Sequence, residues 1–155
     1  MLKQLGIIVA LAACVPVPIP VPTSGGQVAL RQLPSQAAPD AAFDQMLNAA
    51  RRNAIGYNAN LAAVGRAHAA DMEQRKYFAH ASPEGVRAGA RAQAAGIPSC
   101  GIGENIAQGQ KSSQDVFAAW MTSPGHRKNM LNPRMSHYGL GRADDSWVLM
   151  LYAPC

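Results

Sequence analysis

Apolar residues recur every three or four positions in several stretches after residue 40, and this spacing places them on one face of a helix. Asp40 and Ser112 precede two of these stretches as candidate N-caps, and Gly96 follows another as a candidate stop. The pattern predicts helices over residues 40–53, 60–75, 82–95 and 112–122, with a short helical turn over 125–131.

The strand signals come late in the chain. Residues 105–108, 138–142 and 147–152 are short apolar runs, and the last two are separated by the turn sequence Ala-Asp-Asp-Ser, which predicts a hairpin. Helices followed by a short, mainly antiparallel sheet indicate an α+β fold.

The first 14 residues predict an export signal. Lys3 supplies a positive charge, and residues 5–13 form an apolar run shorter than the roughly 20 residues that a membrane-spanning helix needs. Residues 11–14 (Leu-Ala-Ala-Cys) resemble the lipobox of bacterial lipoproteins, which predicts acylation of Cys14 and a membrane anchor. The expected location is the cell envelope, at the outer membrane or cell surface. An ordinary secretory signal, with an incidental Cys14 and a secreted product, is the alternative.

Residues 15–39 are predicted to be a linker. They open with proline at every second position, which favours an extended polyproline conformation, and continue with Ser24, Gly25 and Gly26. The folded domain is therefore expected over residues 40–155.

Composition limits the functional classes. The 155 residues are 48% hydrophobic, enough for one core, and the net charge of +5 is scattered along the chain. That balance fits attraction to an anionic cell surface or cell-wall polymer. It does not indicate nucleic-acid binding, because no nucleic-acid motif accompanies it.

The chain contains three cysteines. If Cys14 carries lipid, Cys100 and Cys155 remain, and export to an oxidising compartment favours a disulfide between them. Two free thiols are the alternative. A catalytic role for Cys100 is not favoured, because no Cys–His pattern flanks it.

Three polar motifs lie between the predicted elements. They are residues 77–83 (Tyr-Phe-Ala-His-Ala-Ser-Pro), 101–107 (Gly-Ile-Gly-Glu-Asn-Ile-Ala) and 120–131 (Trp-Met-Thr-Ser-Pro-Gly-His-Arg-Lys-Asn-Met-Leu). Together they resemble the CAP superfamily of cysteine-rich secretory, antigen 5 and pathogenesis-related proteins, in its bacterial SCP-like extracellular form. The resemblance covers roughly residues 43–155 and implies an α-β-α sandwich with a cleft on one side.

The resemblance also implies which residues line that cleft. Family members place two histidines and two acids there, and the matching positions here are His80, Glu104 and His126, with Ser123 where animal and plant members have the second acid. Asn105 and Asn129 are expected to support the cleft.

Two neutral imidazoles, His80 and His126, could bind Zn²⁺ with water completing the shell, while Glu104 orients a ring or holds a water. The alternative is a hydrogen-bonded polar cluster that ties the three segments together and binds a metal only occasionally. His68 shares an apolar helical face and is expected in the core, whereas His137 is expected at the surface or the cleft rim.

Three functions follow as hypotheses. The favoured one is a binding or interaction module whose cleft holds a metal ion, a lipid or an envelope fragment. The second is a metal-dependent or Ser/His hydrolase acting on peptide or cell-envelope polymer. Ser123, His126 and Glu104 are the residue types of a hydrolytic triad, but no oxyanion hole is visible in the sequence. The third is a structural envelope protein whose polar cluster only stabilises the fold.

Overall fold

A computed structural model describes residues 38–155; the predicted signal, Cys14 and almost all of the predicted linker lie outside the described residues. In chain order the elements are α1 (Ala41–Ala50), β1 (Gly56–Tyr57), α2 (Ala59–Arg75), α3 (Ala88–Ala94), β2 (Gly101–Gln108), α4 (Ser113–Thr122), α5 (Pro124–Met130), β3 (His137–Ala143) and β4 (Ser146–Ala153). None of the helices within residues 38–155 has the length and apolar character needed to cross a bilayer.

The four strands form one sheet in the order β1-β3-β4-β2. β4 is antiparallel to both of its neighbours, and it pairs with β2 from Gly101↔Ala153 to Gln108↔Ser146. Only the short β1 is parallel to its neighbour, β3. The sheet is therefore small and mainly antiparallel, as expected from the sequence.

Side chains alternate between the two faces of this sheet, and each face has its own hydrophobic cluster. One cluster joins the sheet to α1, α4 and α5, through residues that include Phe43, Trp120 and Leu149. The other joins it to α2 and α3, through residues that include Met72 and Met150. The molecule is an α-β-α sandwich, which confirms the predicted α+β fold.

The α2 helix lies unusually close to strand β3. A Cβ atom placed on Gly139 would lie 2.1 Å from the backbone nitrogen of Ala62, and one on Gly141 would lie 2.1 Å from that of Arg66. Any side chain at these two positions would push the helix off the sheet. The two glycines therefore allow the short distance between the α2 backbone and strand β3.

The predicted caps of α1 and α4 are present. The Asp40 carboxylate accepts the Phe43 N–H at 2.9 Å, and the Ser112 hydroxyl accepts the Asp115 N–H at 3.1 Å. Both bonds satisfy N–H groups that have no partner inside the helix.

The first helix is shorter than predicted, ending at Ala50 and not near Asn53. Arg51 is extended, and its guanidinium donates to the carbonyls of Met130, Asn132 and Met135, which lie after α5 or at its end. Because these contacts come from distant residues, helical periodicity did not predict the early end.

The third helix starts at Ala88 and not at Ser82. Residues 82–85 form a turn in which the Gly85 N–H donates to the Ser82 carbonyl at 2.7 Å, and Gly85 has a φ of 84°. A left-handed glycine interrupts the helix that the Ser-Pro-Glu start signal predicted. Strand β2 begins at Gly101, four residues before its predicted start, and β1 was not predicted.

The outer strand β2 is covered by side chains from two helices. Trp120 Nε1 of α4 donates to the Ile106 carbonyl at 3.2 Å, and Asn129 Nδ2 of α5 donates to the Glu104 carbonyl at 3.3 Å. Two carbonyls of β2 thus accept hydrogen bonds from helix side chains and are not free to pair with an additional strand.

Cys100 and Cys155 form a disulfide, which confirms the favoured pairing. The bond joins the residue before β2 to a residue just after β4, at the same end of this strand pair. It therefore closes one end of the sheet covalently.

Candidate functional site

The candidate site straddles the edge strand β2, where the two helical layers meet. Successive residues of a strand point to opposite faces, so Glu104 faces the layer of α2 and α3 while Asn105 faces the layer of α4 and α5. Each of these neighbouring residues binds a different part of the site.

Glu104 is almost completely buried, with 4% of its side chain exposed. Its Oε1 lies 2.8 Å from His80 Nδ1, and its Oε2 accepts from the Arg91 guanidinium at 2.5 Å. Both carboxylate oxygens are therefore engaged, and the buried charge is paired with a cation.

His80 lies in the loop between α2 and α3, with half of its side chain exposed. Because the Glu104 carboxylate accepts hydrogen bonds, Nδ1 of His80 is the donor, and Nε2 remains available to bind a ligand. This is the orientation in which a carboxylate positions a metal-binding imidazole.

Arg91 also holds the loop that carries His80. Its guanidinium donates to the His80 carbonyl at 3.1 Å and to the Val86 carbonyl at 2.7 Å. Ion pairing between Arg75 and Glu84 fixes the same loop farther along. The sequence did not identify Arg91, because nothing in the spacing of a single helix marks which arginine meets a buried acid.

His126 lies on α5, in the opposite layer. The Asn105 side chain donates to the His126 carbonyl at 3.1 Å, and Asn129 donates to Asn105 Oδ1 at 2.9 Å. The two asparagines thus attach α5 to β2.

The two site histidines are near enough to interact electrostatically. Partial burial lowers the pKa of His126, and the field of His80 lowers it further. A neutral His126 ring keeps a lone pair for a ligand at neutral pH.

Ser123 stands at the junction where α4 ends and α5 begins, and its side chain makes no capping hydrogen bond. Within residues 38–155 no hydrogen bond joins the Ser123 hydroxyl to His126, and Glu104 is bound to His80 and Arg91. The structure therefore does not assemble Ser123, His126 and Glu104 into a hydrolytic triad.

The donor set fits only a weakly held metal ion. Among residues 38–155 there is no group of three or more His, Cys, Asp or Glu side chains arranged to hold a metal. His80 and His126 would supply two imidazole nitrogens, and water would fill the remaining positions. Such a site differs from a structural zinc site, which has four protein ligands.

The other two histidines lie as predicted. His68 is buried in α2, where its Nε2 lies 3.0 Å from the Ala79 carbonyl, and burial lowers its pKa, with Arg91 adding to the effect. His137 is exposed on β3, with its ring near Tyr152. His68 therefore supports the residue before His80 from the core.

Solved structures of two bacterial proteins, one extracellular and one from the outer surface, share this fold. An extracellular protein with an SCP domain from Bacillus anthracis superposes with a TM-score of 0.69 at 28% identity, covering 72% of this chain and 39% of that one. An outer surface protein from Borrelia burgdorferi gives a TM-score of 0.68 at 18% identity, covering 74% of this chain and 91% of that one. The second likeness shows the fold alone.

Two Bacillus subtilis proteins are similar in sequence. The uncharacterized protein YkwD is 41% identical over 88 residues, which are 57% of this chain and 34% of YkwD. The uncharacterized membrane protein YlbC is 32% identical over 80 residues, which are 52% of this chain and 23% of YlbC. The matches therefore span about a third or less of these relatives.

The family model of the cysteine-rich secretory proteins, CAP, matches residues 30–151, most of the chain and all of the site described above. The match agrees with the α-β-α sandwich, and His80, Glu104 and His126 all lie within the matched residues. The chain belongs to the CAP family of cysteine-rich secretory proteins.

Proposed function

We propose that this chain is an exported CAP-domain binding module whose ligand is held by His80 and His126 at the edge of β2. The observation that carries the proposal is the full engagement of the Glu104 carboxylate by His80 and Arg91. A carboxylate bound in this way orients an imidazole, and it is not free to act as a general base. The half-exposed His80 ring is then the group presented to a ligand.

A divalent metal ion such as Zn²⁺ is the first ligand that this geometry supports. The Glu104 carboxylate orients the His80 ring so that Nε2 faces a ligand, and burial lowers the pKa of His126, which favours its neutral form. An ion with only two protein ligands keeps open positions, so it could in turn bind an acidic group of an envelope polymer or lipid. The net charge of +5 favours such anionic partners.

The location also belongs to the proposal. Residues 1–14 carry the export and lipobox pattern, and the similar Bacillus anthracis protein is described as extracellular. Acylation at Cys14 would attach the domain to a membrane through residues 15–39. Replacing Cys14 with Ser in expressing cells is expected to move the protein from the membrane fraction to the soluble fraction. Unchanged fractionation would contradict lipid anchoring.

Calorimetric titration with Zn²⁺ tests the metal site. The full chain carrying Cys14→Ser is compared with versions that add His80→Ala, His126→Ala or, as the matched control, His137→Ala. Saturable binding that the first two substitutions abolish and the control retains is expected. Two results would rule out the metal site: Zn²⁺ binding that persists in both the His80→Ala and the His126→Ala variants, or no Zn²⁺ binding to the folded parent chain.

A further inference from the structure

An open surface cavity of about 260 Å³ lies at the end of α2, apart from the His80 site. Its lining residues come from α2, the following loop and the end of β2: Met72, Glu73, Lys76, Tyr77, Phe78 and Gln108. Gln108 is four residues beyond Glu104 on β2, a distance of roughly 13 Å along an extended strand. The volume is below the range of about 300–1,000 Å³ for drug-sized ligands, so a smaller molecule fits.

The negative charge of this cavity is held in place. Glu73 Oε1 accepts from the hydroxyl of the fully buried Ser146 at 2.8 Å and lies 3.4 Å from Gln108 Nε2. In the part of the chain that the structure describes, Glu73 Oε2 makes no hydrogen bond or ion pair. One oxygen anchors the carboxylate, and the other is available to a ligand.

The positive charge lies one helical turn away. Lys76 ends α2 in the left-handed conformation, with a φ of 56°, and its backbone N–H donates to the Met72 carbonyl. Its ammonium forms no ion pair with any group in residues 38–155, although Glu73 is only three residues earlier. Opposite charges thus border one cavity without neutralising each other.

An apolar surface completes the cavity. Phe78 is 49% exposed, which is exceptional for a large hydrophobic residue among those described. The neighbouring Tyr77 hydroxyl donates to Asp71, so the polar end of that ring is already occupied. A ligand in the cavity would therefore meet an exposed aromatic ring, an anchored carboxylate and an exposed ammonium.

We propose that this cavity binds a small zwitterion, namely a free α-amino acid with a large apolar side chain. Its ammonium group donates to Glu73 Oε2, its carboxylate accepts from Lys76, and its side chain packs against Phe78. Charge-assisted hydrogen bonds to both ends favour the doubly charged ligand over analogues that lack one charge. Apolar contact with Phe78 favours large side chains over glycine.

Calorimetric titration of the full chain, as Cys14→Ser, with L-phenylalanine tests the proposal. The comparison ligands are N-acetyl-phenylalanine, which lacks the ammonium, phenylalanine amide, which lacks the carboxylate, and glycine. Saturable binding of phenylalanine is expected, with each comparison ligand at least about tenfold weaker.

Substitutions at the cavity give the second readout. Glu73→Gln, Lys76→Gln and Phe78→Ala are each expected to weaken phenylalanine binding at least about tenfold. Lys128→Gln, which removes an exposed lysine from α5, is the matched control and leaves the affinity unchanged. Phe78 is half exposed, so its replacement preserves the fold, which circular dichroism checks.

Four outcomes would overturn the proposal. The first three are no saturable binding up to about 10 mM, equal affinity for the capped analogues, and preferential binding of a neutral sugar such as glucose. A fourth is loss of phenylalanine binding in His80→Ala, because the ligand would then occupy the other cleft. Zn²⁺ binding is also measured on Phe78→Ala and is expected to persist. The two proposals can then fail independently of each other.

Discussion

Glu104 bears its charge where only 4% of its side chain is exposed, and Arg91 supplies the positive charge that it faces there. A buried charge that loses its partner retains the full cost of desolvation, whereas an exposed one regains water. The site is therefore also a contributor to folding stability, and its residues differ in how much they contribute.

Replacing Arg91 with Met is expected to lower the free energy of unfolding by about 3 kcal/mol, because it leaves the buried Glu104 carboxylate with His80 alone. The His80 carbonyl also loses the Arg91 hydrogen bond, and the Val86 carbonyl keeps only the bond from the Ser82 N–H. Urea denaturation at pH 7 measures the change.

Lys111→Met is the matched control, since it removes a cation whose pair with Asp145 is exposed on both sides. Its unfolding midpoint is expected to stay close to that of the parent. If the two substitutions had equal effects, the Arg91–Glu104 pair would not behave as a buried ion pair.

Two histidines give the fold a pH dependence. The pKa values of His68 and His126 are lowered, in both cases mainly by burial. Their unfolded pKa is about 6.5, so the unfolded chain binds more protons than the folded chain as pH falls through that value. The stability that the two lowered pKa values contribute is therefore fully present above pH 6.5, and it is lost as the pH decreases toward the folded pKa values.

Urea denaturation at pH 7.5 and pH 5.5 is expected to give a lower free energy of unfolding at pH 5.5. The double variant His68→Gln/His126→Gln, compared with itself at the two pH values, is expected to show a smaller decrease. An equal decrease in the variant would assign the dependence to other groups. Proton NMR titration of the parent should place both histidine midpoints below 6.5.

At the scale of elements, the close approach of α2 to β3 makes two glycines essential. Gly141→Ala is expected to destabilise the fold by more than about 4 kcal/mol, because its Cβ would overlap the backbone nitrogen of Arg66. Thermal unfolding, or failure to recover folded protein, measures this.

Gly89→Ala is the control for that substitution. Gly89 lies in α3, and a Cβ placed there meets no atom within 4 Å. Alanine is the better helix former, so Tm is expected to stay the same or rise. A mild effect of Gly141→Ala would mean that α2 can move away from the sheet.

Local patterns predicted the elements whose signals are local. The α2 helix was expected over 60–75 and is observed over Ala59–Arg75, and both strands of the hairpin appear with slightly wider bounds. The start of α3 was wrong, because the left-handed Gly85 interrupts a sequence with a good start signal. The two residues of β1 are too few to show any periodicity.

The candidate site divides in the same way. Sequence motifs identified His80, Glu104, His126 and the two supporting asparagines, all of which the structure places around β2. Arg91 was not predicted, because its contact with Glu104 depends on the packing of α3 on β2 and not on spacing along the chain. The zinc site, the lipid anchor at Cys14 and the envelope ligand remain predictions.

At the scale of the whole molecule, the disulfide encloses the second half of the domain. β2, α4, α5, β3 and β4 all lie between Cys100 and Cys155, which are 55 residues apart. The enclosed segment contains Glu104 and His126, so the bond restricts the unfolded conformations of the part that forms most of the site.

Cys155→Ser, in the Cys14→Ser background, is expected to lower the free energy of unfolding by about 4 kcal/mol on the chain-entropy account. Thermal unfolding with and without reductant measures it. Reductant should lower the Tm of the parent and leave that of the variant unchanged. A parent that is insensitive to reductant under conditions that break the bond would contradict a stabilising role.

The hydrogen bonds from Trp120 and Asn129 to β2 bear on how copies of this protein behave when crowded. An outer strand of eight residues is a template on which a strand of another molecule can add, the usual first step of sheet-to-sheet aggregation. Here α4 and α5 occupy carbonyls of that strand, at Ile106 and Glu104. Asn129 therefore has two roles: it supports the candidate cleft, and it blocks part of the β2 edge where another copy of this domain could pair at high protein concentration.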